Sequence, residues 1–378
     1  MPVINHRTAL VSAAVAVATA ALAAPLAAAA AASATSGTQF IKPFNKISTI
    51  ASTVPRNGDV NPYGLAVIRH SAGKLVKGDV LISNFNNAKN LQGTGTTIVE
   101  ISPSGTLTQF AKINAAKLPG ACPGGVGLTT ALEVLQHGWV VVGSLPTTNG
   151  MAATARAGCL IVLDNTGRVR ETISGHGING PWDMAATERG STADLFVSNV
   201  LNGTVAANGA TVHRGQILRL TLTVSAAMPP QLTAVTKVGS GFGEHSDPAA
   251  LVVGPTGLGI SPQGTLYVAD SVGNRITAIP AAATRTTSAG TGMVVTAGGA
   301  LSTPLGLTLA PNGDILTVNA GNGKIVETSP AGKQVATKLL DRSGSPPGAG
   351  ALFGLGVAPR GSGVYYVDDA QNTLRLLH

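Results

Sequence analysis

The sequence predicts an all-β protein, a six-bladed β-propeller whose last blade is closed by the N-terminal strand of the mature chain. The composition favours short strands joined by turns over long surface helices, because only 11% of residues are charged and 48 Gly and 22 Pro are present. A strand–turn–strand pattern recurs at spacings of 49 and 48 residues between its turn prolines, a period typical of propellers. The last repeat also lacks a fourth strand, which a segment before the first repeat can supply.

Residues 1–34 are expected to be a secretory signal peptide. Arg7 precedes an uncharged, alanine-rich run that ends in Ala32-Ser33-Ala34, a small-x-small cleavage signal. A retained membrane anchor is the alternative, because the run is long enough to span a bilayer. The weak hydrophobicity of alanine favours cleavage. We therefore expect a secreted or periplasmic protein with no stable membrane insertion after cleavage.

Residues 35–378 are expected to form a single propeller. Its clearest repeats begin at Gly257, Gly306 and Gly354, and each reads as a strand, a Pro- and Gly-containing turn and a second strand. Pro fixes φ near the value that such a turn requires, and Gly accepts the geometry at its exit. The approximate repeats are 52–117, 118–175, 176–242, 243–298, 299–342 and 343–378, with residues 39–51 as the closing strand. Pairing this strand with the last repeat removes an exposed sheet edge.

Two cysteines, Cys122 and Cys159, are expected to form a disulfide, because an isolated pair in an oxidising compartment is more often bridged than bound to a metal. The net charge is +8, and nine basic residues between positions 42 and 117 carry most of the excess. This basic sector could attract an anionic polymer or a membrane surface, or it could be a solvated face. Nucleic acid is not an expected partner, because the chain is exported and only 3% of residues are aromatic.

The repeats resemble NHL repeats and, more broadly, a six-bladed superfamily that includes gluconolactonase-type lactonases, virginiamycin B lyase-like proteins and peptidyl-amidating lyases. The resemblance covers nearly all of the mature chain, and it specifies the fold more than the activity. It implies ligand sites on the rim formed by the second-to-third loops and the fourth-to-first connections, which we call the loop rim. The opposite rim, formed by the tight first-to-second and third-to-fourth turns, is called the turn rim.

Three histidines are assigned to the loop rim: His176, His213 and His245. Neutral imidazoles that converge from separate loops can hold a divalent metal such as Zn or Ca, and a nearby carboxylate can act as a base. Glu244 and Asp247 flank His245 and are candidates for that role, together with Asp183. The alternative is that these histidines are exposed or singly hydrogen-bonded in loops. The cofactor, if there is one, stays unknown at this point.

A polar residue ends the second strand of each repeat. Such a ring could present carbonyl or carboxylate oxygens to a cation or a sugar, or it could cap strand ends and bind loop amides. The residues are Asn84, Asn199, Asp270, Asn319 and Asp368, with Ser144 at the equivalent point.

The sequence departs from the gluconolactonase-type pattern at the start of the inner strands, where that family takes its metal ligands. Here the residues before the strand-opening motif are mostly apolar, and only Asp183, after Trp182, offers a carboxylate. The others are Tyr63, Val126, Thr256, Leu305 and Phe353. A Ca- or Zn-dependent lactonase of that pattern is therefore not expected.

We therefore predict a monomeric scaffold whose loop rim binds a protein or small-molecule ligand without chemistry. The alternative is a metal-assisted lyase or hydrolase that uses the three histidines on the same rim. A purely structural role in the cell envelope also stays open, so the sequence leaves undecided whether the protein is an enzyme.

Overall fold

The structure, a computed structural model, describes residues 38–378. The predicted signal peptide, residues 1–34, lies outside the described residues. The first strand of the described chain is β1 (Ile47–Ser52), which belongs to the last blade. Blade 1 consists of β2 (Val60–Val67), β3 (Val80–Asn86), β4 (Thr97–Ile101) and β5 (Leu107–Lys112). Blade 2 consists of β6 (Leu128–Val134), β7 (Val140–Ser144), β8 (Cys159–Leu163) and β9 (Val169–Ile173).

The remaining blades follow in chain order. Blade 3 consists of β10 (Gly180–Arg189), β11 (Thr192–Val200), β12 (Val212–Thr223), β13 (Gln231–Asp247) and β14 (Leu251–Val253). Blade 4 consists of β15 (Pro255–Ile260), β16 (Leu266–Asp270), β17 (Arg275–Ile279) and β18 (Met293–Ala297). Blade 5 consists of β19 (Pro304–Leu309), β20 (Ile315–Asn319), β21 (Lys324–Thr328) and β22 (Gln334–Leu339). Blade 6 consists of β23 (Leu352–Val357), β24 (Val364–Asp368) and β25 (Thr373–Leu377), together with β1.

The helical segments of the described chain are short. Within residues 38–378, no helix combines the length and the apolar character that crossing a membrane requires. The segments are one α-helical turn at Thr204–Ala207 and 3-10 turns at Ala115–Lys117, Gln136–Gly138, Ala152–Thr154 and Pro359–Gly361.

The sheets are antiparallel, and the first strand of each blade contacts the first strand of the next until β23 meets β2. Second and third strands are therefore covered on both faces by neighbouring blades, and most of their residues are buried. Every residue of β8 is buried, for example, whereas β18 on the outside of its blade exposes 62% of Met293. The predicted six-bladed propeller is confirmed.

The ring is closed by the segment that the sequence predicted. Strand β1 pairs with β25 in antiparallel register, from Ile47 opposite Leu377 to Ser52 opposite Thr373. The backbone N–H groups of Lys46 and His378 donate to each other's carbonyl oxygens, both at 2.9 Å. The start and the end of the described chain thus share one sheet.

The expected disulfide is confirmed in blade 2. Cys122 lies before β6 and is bonded to Cys159, the first residue of β8. The bridge fastens the connection that enters the blade to the blade's third strand.

Blade 3 has a feature that the sequence did not predict. Strand β13 is 17 residues long, and its last residues turn back as β14, with His245 opposite Val253 and Asp247 opposite Leu251. The hairpin reaches blade 1, where the Gln92 side-chain amide donates to the Pro248 carbonyl at 2.7 Å. It therefore extends over the loop rim.

Candidate functional site

The six first strands surround a central channel, and each runs from the loop rim to the turn rim. The loop-rim end is filled by Tyr63, Phe85, Trp182 and Phe353, which we call the aromatic plug. The Tyr63 ring stacks on Phe353 at 3.9 Å and on Phe85 at 4.4 Å, and the centroid of Trp182 lies 6.4 Å from those of Tyr63 and Phe353. All four side chains are buried.

The β13–β14 hairpin covers the plug from above. Leu251 and Val252 are fully buried in the same apolar cluster as the plug, together with Leu305. The resemblance to gluconolactonase-type lactonases implies metal ligands at three positions of this cluster. Those positions hold Tyr63, Leu305 and Phe353. Aliphatic and aromatic side chains supply no carboxylate here, so these residues do not fit a divalent metal of that family pattern.

The turn-rim end of the channel is open. It forms a cavity of about 1140 Å³. In each first strand, the residues that line this cavity follow the plug in the direction of the turn rim. The aliphatic lining of the cavity includes Leu65, Val67, Leu132, Leu307, Leu309 and Val357. Its charged lining consists of Arg69, Lys77, Glu133, Asp183 and Arg360.

Two carboxyl groups lie inside the cavity. Asp183 Oδ2 accepts a hydrogen bond from the backbone N–H of Leu258 at 3.0 Å. Burial raises the pKa of Asp183 well above its usual range, and the nearby Glu133 raises it further. Burial also raises the pKa of Glu133 to about 7, against the attraction of Arg69, which lowers it. Their neutral forms are therefore favoured relative to exposed carboxyl groups.

Three cations stand at the mouth of the cavity. Arg69 and Lys77 belong to the turn between β2 and β3, and Arg360 belongs to the turn between β23 and β24 of the neighbouring blade. All three are exposed. None takes part in an ion pair within residues 38–378, where the paired cations are Arg170, Arg219, Arg275 and Arg375.

The predicted ring of polar residues at the ends of the second strands is buried. Side-chain contacts at these positions go to the polypeptide itself, and Asn199 Oδ1, for example, accepts from the backbone N–H of Asn179 at 2.8 Å and of Gly180 at 3.1 Å. At Asn199 the ring therefore ties a loop to a strand end, which is the structural role that the sequence left open. The buried residues are Asn84, Ser144, Asn199, Asp270, Asn319 and Asp368.

The three histidines do not come together as metal ligands. His176 is exposed between β9 and β10, whereas His213 lies in β12 and His245 in β13 instead of in the loops to which the sequence assigned them. Pairing of Val212 with Glu244 extends both strands and explains the difference. No group of three His, Cys, Asp or Glu side chains in the described residues is placed to hold a metal ion.

The three acidic candidates have separate environments. Glu244 is fully buried and accepts from the backbone N–H of Asn202 at 3.0 Å. Asp247 Oδ1 accepts from the N–H groups of Ala249 at 2.7 Å and Ala250 at 2.9 Å, which holds the turn of the β13–β14 hairpin. Of the three, only Asp183 lines the cavity.

The sequence did not point to Arg69, Lys77, Arg360 or Glu133, because the ligand site was expected on the loop rim. The signal was present: Arg69 and Lys77 fall within one predicted first-to-second turn, and Arg360 falls in another. Turns of neighbouring blades lie side by side on the turn rim, so basic residues in two such turns could have indicated a shared charged mouth.

The fold and its channel define the protein as a six-bladed propeller built around a central axial cavity. A family model, the SMP-30/gluconolactonase/LRE-like region, matches residues 138–341, more than half of the chain. The chain therefore belongs to the SMP-30/gluconolactonase/LRE-like family. No curated protein sequence matches it.

Several solved structures share the fold. A gluconolactonase from Xanthomonas campestris has a TM-score of 0.52 at 13% identity, covering 88% of this chain and 88% of that one. A calcium-binding regucalcin from Agrobacterium tumefaciens has a TM-score of 0.52 at 14% identity, covering 88% and 93%. A luciferin-regenerating enzyme has a TM-score of 0.54 at 11% identity, covering 88% and 94%. At such identities the likeness shows the fold alone.

Proposed function

We propose that this protein is an exported binding scaffold that holds a small-molecule ligand in its central channel, and that the ligand enters from the turn rim. The observation that carries the proposal is the difference between the two ends of the channel. The aromatic plug and the hairpin fill the loop-rim end, whereas the turn-rim end is a cavity of about 1140 Å³. A concave cavity that combines apolar walls with a small number of polar groups is the usual form of a ligand site.

Binding without metal-assisted chemistry is supported by the residues at the loop-rim end. Solved structures that share this fold include a gluconolactonase and a calcium-binding regucalcin. In this chain Tyr63, Leu305 and Phe353 take the positions of the expected ligands and pack against each other. The proposal therefore keeps the binding role that the sequence predicts but transfers it to the opposite rim.

Export is supported by two features of the chain. The N-terminal sequence has the layout of a signal peptide. The Cys122–Cys159 disulfide suits an oxidising compartment such as the periplasm or the extracellular medium.

A thermal-shift screen of soluble metabolites, repeated on a variant with a filled channel, tests the proposal. Thr308 lines the cavity and is partly exposed, so Thr308→Trp should occupy ligand volume. We expect the screen to find ligands that raise the Tm of the parent protein. At a hundredfold excess over its Kd, such a ligand should increase the free energy of unfolding by about 2.7 kcal/mol. These ligands should lose their effect on Thr308→Trp.

The control is Val294→Trp on the outermost strand of blade 4, where Val294 is 54% exposed. This variant should keep every ligand of the parent. The proposal is wrong if the ligands stabilise Thr308→Trp as well as the parent, or if the parent hydrolyses lactones in a reaction that a chelator stops.

A further inference from the structure

We infer that the ligand of the channel is an amphiphilic anion, an organic acid with one carboxylate and an apolar body. The inference rests on the proposed function, because it specifies what the channel binds. It follows from the distribution of charge along the cavity: cations at the mouth, aliphatic walls inside, and carboxyl groups within.

The mouth carries the charge that an acid group requires. Arg69, Lys77 and Arg360 project from the turns of two neighbouring blades and have no ion-pair partner in the described part of the chain. Two of them are arginines, whose guanidinium groups bind a carboxylate through two parallel hydrogen bonds. An anion that bridges the two blades would engage all three cations at once.

The turn that presents Arg360 has a defined backbone conformation. Arg360 has a φ of 59°, in the left-handed region, between Pro359 and Gly361. Residues other than glycine are uncommon in that region, and those that occur there are held by their surroundings. The short Pro–Arg–Gly turn therefore keeps the arginine at the edge of the channel in a defined backbone conformation.

The interior of the cavity suits an apolar body. Leu65, Val67, Leu309 and Val357 line the cavity and are partly exposed within it. Covering such aliphatic surface with an apolar ligand is favourable, at about 25 cal/mol per Å².

The three cations at the mouth determine which way the ligand lies. The other charged residues that line the cavity are Glu133 and Asp183, and their carboxyl groups supply no positive charge to an anionic group placed beside them. A ligand with one acid group therefore places that group at the mouth, against the three cations, and its apolar part towards the plug.

Isothermal titration with three probes that each carry an eight-carbon chain tests the inference: octanoate, octan-1-ol and octyltrimethylammonium. We expect octanoate to bind the parent protein most tightly and the cationic probe to bind least. The triple variant Arg69→Gln, Lys77→Gln, Arg360→Gln should raise the Kd of octanoate by about tenfold, because it removes every cation that lines the cavity. The Kd of octan-1-ol should stay unchanged.

A matched control removes the same charge elsewhere. Lys89, Lys112 and Lys117 are exposed and do not line the cavity, so the triple variant with Gln at these positions should bind octanoate like the parent. Circular dichroism checks that both triple variants are folded.

Three outcomes overturn the inference: equal affinity for octanoate and octan-1-ol, an unchanged octanoate Kd in the mouth variant, or no binding of octanoate or its longer homologue dodecanoate. The proposed function is judged separately by Thr308→Trp. If that variant loses octan-1-ol while charge has no effect, the channel binds a neutral ligand. If it binds both probes like the parent, the channel is not the site.

Discussion

Glu244 illustrates how a single buried carboxyl group is accommodated in this propeller. Its side chain has no exposed surface, and its two oxygens accept from the backbone N–H and the side-chain amide of Asn202, at 3.0 and 3.4 Å. Burial nevertheless raises its pKa to about 7, although these hydrogen bonds and the charge of Arg214 act in the opposite direction. The group thus ties the loop after β11 to β13.

The raised pKa of Glu244 leads to a pH-dependent stability. Between about pH 4.5, its ordinary pKa, and about pH 7, the folded protein keeps a proton that the unfolded chain has lost. The free energy of unfolding should therefore fall as pH rises through this window and level off above it. Glu244→Gln should weaken this decrease by on the order of 1–3 kcal/mol, since each tenfold change in an equilibrium corresponds to about 1.4 kcal/mol.

Urea unfolding at several pH values measures this effect. Burial also raises the pKa of Glu133 and Asp369 to about 7, so part of the decrease should persist in the variant. Glu171→Gln, at a partly exposed position in the outer strand β9, is the control and should keep the slope of the parent. An identical slope in Glu244→Gln and the parent would contradict this assignment.

At the scale of elements, the aromatic plug and the β13–β14 hairpin fill one end of the channel with buried apolar side chains. The plug draws Tyr63 and Phe85 from blade 1, Trp182 from blade 3 and Phe353 from blade 6. Stacked rings contribute about 0.5–1.5 kcal/mol beyond the area that they bury. The plug therefore joins blades that are distant in sequence, in addition to closing the channel.

Truncating the plug should destabilise the whole protein. Phe353→Ala is expected to lower the free energy of unfolding by about 3–5 kcal/mol, because it leaves a cavity among packed rings. Met293→Ala, at a side chain that is 62% exposed, is the control and should change stability by less than about 0.5 kcal/mol. Urea denaturation measures both, and similar midpoints for the two variants would show that the plug does not stabilise the ring.

At the scale of the whole molecule, stability depends on a ring whose two ends meet in one blade. Residues before β1 add to the closure, because the backbone N–H groups of Phe40 and Ile41 donate to the carboxylate of Glu327 in blade 5, at 2.5 and 2.9 Å. Glu327 is fully buried beneath this segment. The N-terminal segment therefore contacts blade 5 and completes blade 6.

Deleting residues 39–51 should abolish the cooperative unfolding transition that the parent protein shows. The deletion exposes the edge of β25 and leaves the Glu327 carboxylate without these two donors. Thermal and urea unfolding followed by circular dichroism measure the effect. A synthetic peptide of residues 38–53, added in trans, should restore stability in proportion to its concentration. If the truncated protein unfolds like the parent, the closure is not needed for the fold.

The sequence by itself determined the repeats, the closing strand and the disulfide. These depend on local signals, such as Pro262, Pro311 and Pro359 in turns of similar composition, and on an unpaired strand at each end of the chain. Such signals specify strands and turns whatever surrounds them.

Only the tertiary structure decided which end of the channel is open. The plug forms because Tyr63, Trp182 and Phe353 meet at the axis from different blades, and the hairpin that covers them depends on pairing between β13 and β14. The mouth, in turn, requires Arg69 and Arg360 to lie on neighbouring turns although they are far apart in the chain. Contacts between residues so distant in sequence are fixed by packing around the ring, and for the plug no local pattern encodes them.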